Sequence, residues 1–215
     1  MGHINANLFQ NNFMNRAFNR HHRSDNTIIT GRGNDNVVTH GGRVSTGAGN
    51  DNIYVLPNSG KTNINSGSGN DHIFVGPNAG ETNINAGSGN DKIDILMTNK
   101  QGNININGGE GYDEVTITDL TSTGTDWAVD YNAESNNSSF TVNVGDNSYA
   151  VGTDVESLNI KNANGETVLN VDNVSEWLSQ ISGSENSETV SYEEAQGYQG
   201  ALNLLKPNLP AFSAV

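Results

Sequence analysis

Residues 62–96 read TNINSGSGNDHIFVGPNAGETNINAGSGNDKIDIL, which states nearly the same sentence twice, twenty residues apart. Both halves carry Gly, Gly, Asn and Asp at one fixed spacing and then an alternating apolar run. Internal repetition with a period of about 20 to 50 residues is the mark of a solenoid or array, because one such unit cannot bury its apolar face alone. Extending the alignment outward gives five copies: TGRGND ending at Asp35, TGAGND at Asp51, SGSGND at Asp71, AGSGND at Asp91 and GGEGYD at Asp113. The spacings between the aspartates are 16, 20, 20 and 22 residues.

The flanks keep the same phase. Two residues after each Asp stand Val37, Ile53, Ile73, Ile93 and Val115, and four after stand Thr39, Val55, Val75, Ile95 and Ile117. Seven before stand Ile28, Val44, Ile64, Ile84 and Ile106. All but Thr39 are β-branched and aliphatic, and the residues between them are mostly polar, the period-two pattern of a strand with one buried face. Each unit therefore reads as strand, Gly-rich turn, strand and a second turn such as PNSGK or PNAGE. Stacked at the strand spacing of about 4.8 Å, the units bury their Ile/Val rows in a thin core and pair each backbone with its neighbours. The expectation is an all-β, right-handed parallel β-solenoid whose length changes fall in the second turn, which THGGR shortens and LMTNKQGN lengthens.

Two alternate glycines let the backbone take positive φ and turn carbonyls into the concavity of a loop. A hard cation prefers such oxygens: Ca²⁺ takes about six to eight, from carbonyls and carboxylates. The aspartate supplies the charged ligand. Stacking sets the five aspartates in a row, where paired carboxylates repel by roughly 1 kcal/mol in water and about 4 kcal/mol at an effective dielectric of 20. A cation between turns reverses that sign, and five turns leave four gaps, hence about four ions. The alternative is a solenoid whose aspartates only cap their turns through Asx hydrogen bonds.

These copies resemble the RTX nonapeptide G-G-x-G-x-D-x-U-x, with U apolar, whose members form calcium-loaded parallel β-rolls. The resemblance covers roughly residues 26–118. It implies metal ligation by Asp35, Asp51, Asp71, Asp91 and Asp113, with Gly31, Gly33, Gly47, Gly49, Gly67, Gly69, Gly87, Gly89, Gly109 and Gly111 shaping the turns. Two departures stand out. The first Gly of the motif is Thr30, Thr46, Ser66 or Ala86 and survives only as Gly108, and the second turns lack the motif, so a single calcium row is expected.

Composition agrees with a thin core and a cationic counter-charge. Only 33% of the 215 residues are hydrophobic, and 24 acidic against 10 basic residues give a net charge of −14, which argues against nucleic acid as a partner. All five arginines (Arg16, Arg20, Arg23, Arg32, Arg43) precede residue 44. There is no cysteine, so disulfides and thiolate metal sites are out. No apolar run approaches a membrane span. The opening MGHINANLFQNNFMNRAFNRHH lacks the apolar core of a Sec signal, and Ala6 departs from the myristoylation pattern.

Outside the repeats, residues 1–25 are expected as an N-terminal arm or leader, and 119–172 as a β-rich cap with turns at NAESNN, VGDN and NANG. GTDVESLNI, residues 152–160, resembles the degenerate segment that closes RTX blocks. Residues 173–215 read as a helical tail: a short amphipathic helix over 173–181, with Val174, Trp177, Leu178 and Ile181 on one side, and a second helix over 191–205 after a Ser-rich linker.

No catalytic constellation emerges. His-Glu-x-x-His, Gly-x-Ser-x-Gly and an Asp-Pro bond are all absent, which removes the RTX proteases, lipases and self-processing modules. SGKT at 59–62 echoes a phosphate loop, but Val55 stands where that loop needs Gly and Lys61 aligns with Glu81. His21, His22, His40 and His72 share no strand face at ligand spacing and read as solvated. Asn63/Asn65, Asn83/Asn85 and Asn105/Asn107 form a double ladder resembling the calcium-dependent ice-binding region of a giant bacterial adhesin. That surface needs Thr at the third turn position, where this chain has Arg32, Ala48, Ser68, Ser88 and Glu110, so ladder stacking is the simpler account.

The resemblance thus implies a non-enzymatic, calcium-binding bacterial protein, extracellular by a type I or type III route without a Sec signal. Its folding is coupled to Ca²⁺, and it serves as an adhesin-like scaffold, matrix component or virulence effector. Ice and an extracellular polysaccharide, host or matrix surface are the competing partners.

Overall fold

The computed structural model describes residues 3–5, 15–18, 27–98, 102–121, 127–130, 139–144, 147–182 and 189–191. Each repeat folds as two strands joined by the Gly-rich turn. The first strands are β3 (Thr27–Arg32), β5 (Gly42–Ala48), β7 (Thr62–Ser68), β9 (Thr82–Ser88) and β11 (Ile104–Glu110). The second strands are β4 (Asp35–Thr39), β6 (Asn52–Val55), β8 (His72–Val75), β10 (Lys92–Met97) and β12 (Glu114–Asp119). The first set pairs in parallel as one sheet and the second as another, so the chain winds a parallel β-solenoid of five rungs.

The register follows the sequence alignment. Ile28, Val44, Ile64, Ile84 and Ile106 stack on one inner face, and the +2 and +4 rows stack on the other; all are at most 4% exposed, Thr39 included. Alternation puts the branched side chains inward and the Asn, Ser, Lys and Glu outward, where the twofold period of a strand requires them. Thr39, the one hydroxyl in the apolar rows, donates to the Gly41 carbonyl at 2.7 Å and accepts the Gly41 N–H at 3.1 Å. That pair closes the short second turn, where Gly41 and Gly42 both take positive φ.

Both ends of the stack are extended. β1 (His3–Asn5) and β2 (Asn15–Phe18), in the segment expected as an arm, pair in parallel with β3 and β4. Beyond β12, the chain forms β13 (Trp127–Asp130), β14 (Ser139–Val144), β15 (Asn147–Gly152), β16 (Ser157–Lys161) and β17 (Thr167–Val171), then α1 (Val174–Ser182) and β18 (Thr189–Ser191). β15 and β16 lie parallel on β11 and β12, while β14, β13, β18 and β17 add antiparallel strands beyond them. The roll's last edges are thereby paired rather than left open. NANG turns the β16–β17 hairpin: Asn162 Oδ1 accepts the N–H groups of Asn164 and Glu166, and Gly165 takes positive φ. Helix α1 buries Val174, Trp177 and Leu178 against the core. The second helix expected over 191–205 lies outside the described residues apart from Ser191, which ends β18.

Candidate metal site

At the end of every first strand the chain crosses to the second sheet through Gly-x-Gly followed by Asn, or by Tyr112 in the fifth turn, and both glycines of each turn take φ between 105° and 143°. L side chains rarely adopt that conformation. From the second rung on, the rungs are also too close for a side chain there: a Cβ on Gly67 would run into the carbonyl oxygen of Gly47, and one on Gly69 into that of Gly49. The second glycine's N–H reaches the next rung, with Gly49 donating to Ser68 O and Gly69 to Ser88 O, both at 2.8 Å. Thus the sequence places Gly there for two independent reasons, φ and proximity.

The Asn-Asp pair after the glycines builds two side-by-side ladders of opposite polarity. Asn34, Asn50 and Asn70 use Oδ1 to accept the N–H of the Asn one rung ahead, at 2.8 to 2.9 Å, and Asn90 accepts that of Tyr112 at 3.0 Å. The aspartates point the other way. Asp51, Asp71, Asp91 and Asp113 use Oδ1 to accept the N–H of the Asp one rung behind, at 2.7 to 2.9 Å. Every gap is therefore clasped from both sides. These bonds join successive rungs, unlike an Asx cap, which bonds within its own turn.

That accounts for one oxygen of each of these four aspartates. Asp35, Asp51, Asp71, Asp91 and Asp113 are at most 2% exposed, and the Oδ2 of all five is buried without a hydrogen-bond partner. The neighbouring hydroxyls are committed elsewhere: Thr30, Thr46 and Ser66 donate their single protons to the carbonyls of Thr46, Ser66 and Ala86, at 2.8 to 2.9 Å, although Thr46 and Ser66 lie near enough to Asp51 and Asp71 to ease their ionisation somewhat. A buried, unpaired anionic oxygen is costly unless something neutralises it. The titration behaviour reflects this. Burial pushes the Asp71 and Asp113 carboxyls up to about 6, opposed by the N–H bond each accepts and reinforced by neighbouring carboxylates. Burial raises Asp51 and Asp91 as well, opposed at Asp51 by the Thr46 hydroxyl and the Asp35 N–H, with repulsion from Asp35 adding a little, and at Asp91 by the Asp71 N–H.

The donor set fits a hard divalent cation. Carboxylate oxygens lacking partners recur once per rung, directly after turns whose glycines carry no side chain, and carboxylate and main-chain oxygens are the ligand chemistry Ca²⁺ favours. Among the described residues no three His, Asp or Glu side chains converge as a side-chain cage, so a bound ion would rely on main-chain oxygens for most of its shell.

Sequence alignment missed the end of this column. β12 and β16 pair Glu114 with Ser157, which sets Glu156 in the rung after Asp113. Its Oε2 accepts the Asp113 N–H at 2.7 Å, as an aspartate does in the other gaps. Asp154, two residues earlier, accepts from the N–H groups of Gly108 and Gly109 and from Asn107 Nδ2. The signal was present: Leu158 and Ile160 stand two and four residues after Glu156, the same phase as in the five copies.

The remaining candidates are dispersed. His72, on the outer face of β8, bonds Asp94 through Nε2 at 2.7 Å, and Lys92 lies 3.7 Å from the same carboxylate. Lys61 pairs with Glu81 one coil on, at 2.6 Å. His21 and His22 lie outside the described residues. No helix among the described residues is long and apolar enough to cross a membrane. No family model, curated protein or solved structure matches the chain.

Proposed function

We propose that this chain is a calcium-binding, non-enzymatic binding or scaffold module, exported from the cell and completing its fold as Ca²⁺ enters the aspartate column. The observation that supports this is the five buried Oδ2 atoms without partners, one per rung. Asp35, Asp51, Asp71, Asp91 and Asp113 would supply the anionic oxygens and the glycine turns the neutral ones, with about four ions in the gaps between five rungs. The second turns carry no acidic column, so one row is expected. Because the column is repulsive when bare, ion binding contributes folding free energy. A low-calcium cytosol then keeps the chain loosely folded before export.

The test is far-UV circular dichroism together with calorimetry during a Ca²⁺ titration of the full chain. A β signal that grows with calcium and saturates near four ions supports the reading. A full β signal in excess chelator with no heat of binding sinks it.

A second reading concerns the partner. The outer face of the first sheet carries Asn63, Asn83 and Asn105 in register, their amides bonded at 3.1 and 2.6 Å, beside the exposed row Asn65, Asn85 and Asn107. Such a flat polar lattice suits an ordered surface, either ice or an extracellular polysaccharide. Calcium-dependent thermal hysteresis or a hit on a glycan array would select between them.

A further inference from the structure

The acidic column does not stop where the repeats stop. After Asp113 the chain leaves the roll, builds β13 and β14, and returns as β15 and β16 to lie parallel on the last rung. The residue that arrives in the aspartate position, 43 positions later, is Glu156. Three bonds show that it occupies a true rung. Its carboxylate accepts the Asp113 N–H at 2.7 Å, and its own N–H donates to the Asp113 carbonyl at 3.1 Å. The next residue, Ser157, donates to that carbonyl at 3.0 Å, as Glu114, Lys92 and His72 donate to the carbonyls of Asp91, Asp71 and Asp51.

The substitution of Glu for Asp has a geometric reason. In the fifth rung, Asp113 stands seven positions after the inner-facing Ile106; in the sixth, Glu156 stands only five after its register partner Val151. The shorter turn holds the backbone back, and the extra methylene of Glu restores the reach. Asp154 fills the space of the missing residues, with its carboxylate on the N–H groups of Gly108 and Gly109. Meanwhile Asp113 is fully buried and its Oδ2 has no partner, while Glu156 and Asp154 lie close enough for their charges to act on it.

We infer that Asp113 and Glu156, with main-chain oxygens for the rest of the shell, form a further divalent-cation site between the last repeat and the cap, so that a cation fastens the cap onto the roll. This rests on the reading of the column as a calcium row, and it adds a gap that the repeats do not contain. The consequence reaches the helix. The carbonyl of Glu156 accepts the N–H of Val174, the first residue of α1, at 3.0 Å, and Trp177 packs one turn later. Both tryptophans of the chain, Trp127 and Trp177, are buried in the cap, so their fluorescence reports cap docking while far-UV dichroism reports mainly the roll.

The experiment compares the full-length protein with Glu156→Gln and Glu156→Asp, using calcium chloride as the probe. Calorimetry is expected to give one ion fewer for Glu156→Gln. The tryptophan transition should move to at least threefold higher calcium, while the dichroism midpoint shifts by less than half as much. Glu156→Asp keeps the charge but not the reach, so it should retain the full count of ions with a weakened tryptophan transition, which guards against a trivial folding defect in the first variant. Equal stoichiometry and coincident tryptophan midpoints in Glu156→Gln and the parent would overturn the inference and leave the repeat sites standing. A parent protein that binds no calcium would instead remove the repeat reading, and this site with it.

Discussion

Asp71 accepts the backbone N–H of Asp51 through Oδ1 at 2.7 Å, while the other oxygen of the same carboxylate is buried with nothing to bond. One half of the side chain is structural glue between rungs, and the other half is an unmet electrostatic demand. The two halves respond differently to mutation, to protons and to metal, which makes the arrangement testable.

Asp71→Asn keeps an oxygen for the Asp51 N–H and removes the charge. In chelator the variant should be as stable as the parent or more so, by roughly 1 kcal/mol, because repulsion from Asp51 and Asp91 is relieved. In calcium it should be the less stable of the two and bind at least one ion fewer. Paired thermal melts in chelator and in millimolar calcium check this; a variant weaker in both conditions by the same amount would show that charge is not the issue.

The pH dependence has a definite sign. Asp71 and Asp113 have folded-state values of about 6 against an ordinary 3.8, so between these limits the folded chain holds protons that the unfolded chain has released. Without calcium, stability is lowest above pH 6 and rises as pH falls through 6 toward 4. With calcium, protons compete for the same oxygens, and the stabilisation by metal shrinks over that window. Melting temperatures at pH 7.5, 6 and 5, each with and without chelator, should converge on acidification. A chelated protein whose melting temperature falls steadily from pH 7.5 to 5 would contradict the assignment of the buried oxygens.

The glycine turns separate two costs. Gly33→Ala meets nothing within 4 Å and carries only the strain of a positive φ, about 1 to 3 kcal/mol. Gly67→Ala carries the same strain and drives a Cβ into the Gly47 carbonyl, adding about 1 to 3 kcal/mol or more. Urea midpoints of the two variants should differ by at least that margin, with Gly67→Ala the weaker. Equal losses would mean that the rungs are not stacked this closely.

Thr39→Val would complete the apolar rows by pattern, yet it should destabilise. The hydroxyl is buried and satisfies both the N–H and the carbonyl of Gly41. Its loss leaves those groups unpaired at a cost of about 1 to 3 kcal/mol, more than the gain from one added methyl. Equilibrium unfolding of the variant in calcium provides the check.

In a solenoid, neighbours in space are neighbours one repeat apart in sequence, so the alignment of the five Gly-x-Asp turns was already a contact map. The strand pairs, the inward rows and the columns of Asp35, Asp51, Asp71, Asp91 and Asp113 could all be read by counting residues. Counting could not say how each carboxylate divides its two oxygens, because that depends on which N–H comes within bonding distance after the rungs stack. Nor did counting alone place Glu156 and Asp154 on the column: Leu158 and Ile160 keep the phase of the repeats, but Glu156 follows Asp113 by 43 positions, outside the repeat period and after an antiparallel excursion. Sequence determined the repeating part because its interactions are local in register; tertiary structure decided where the column ends, because only the packing of the cap brings a non-repeating acid into line with the repeating ones.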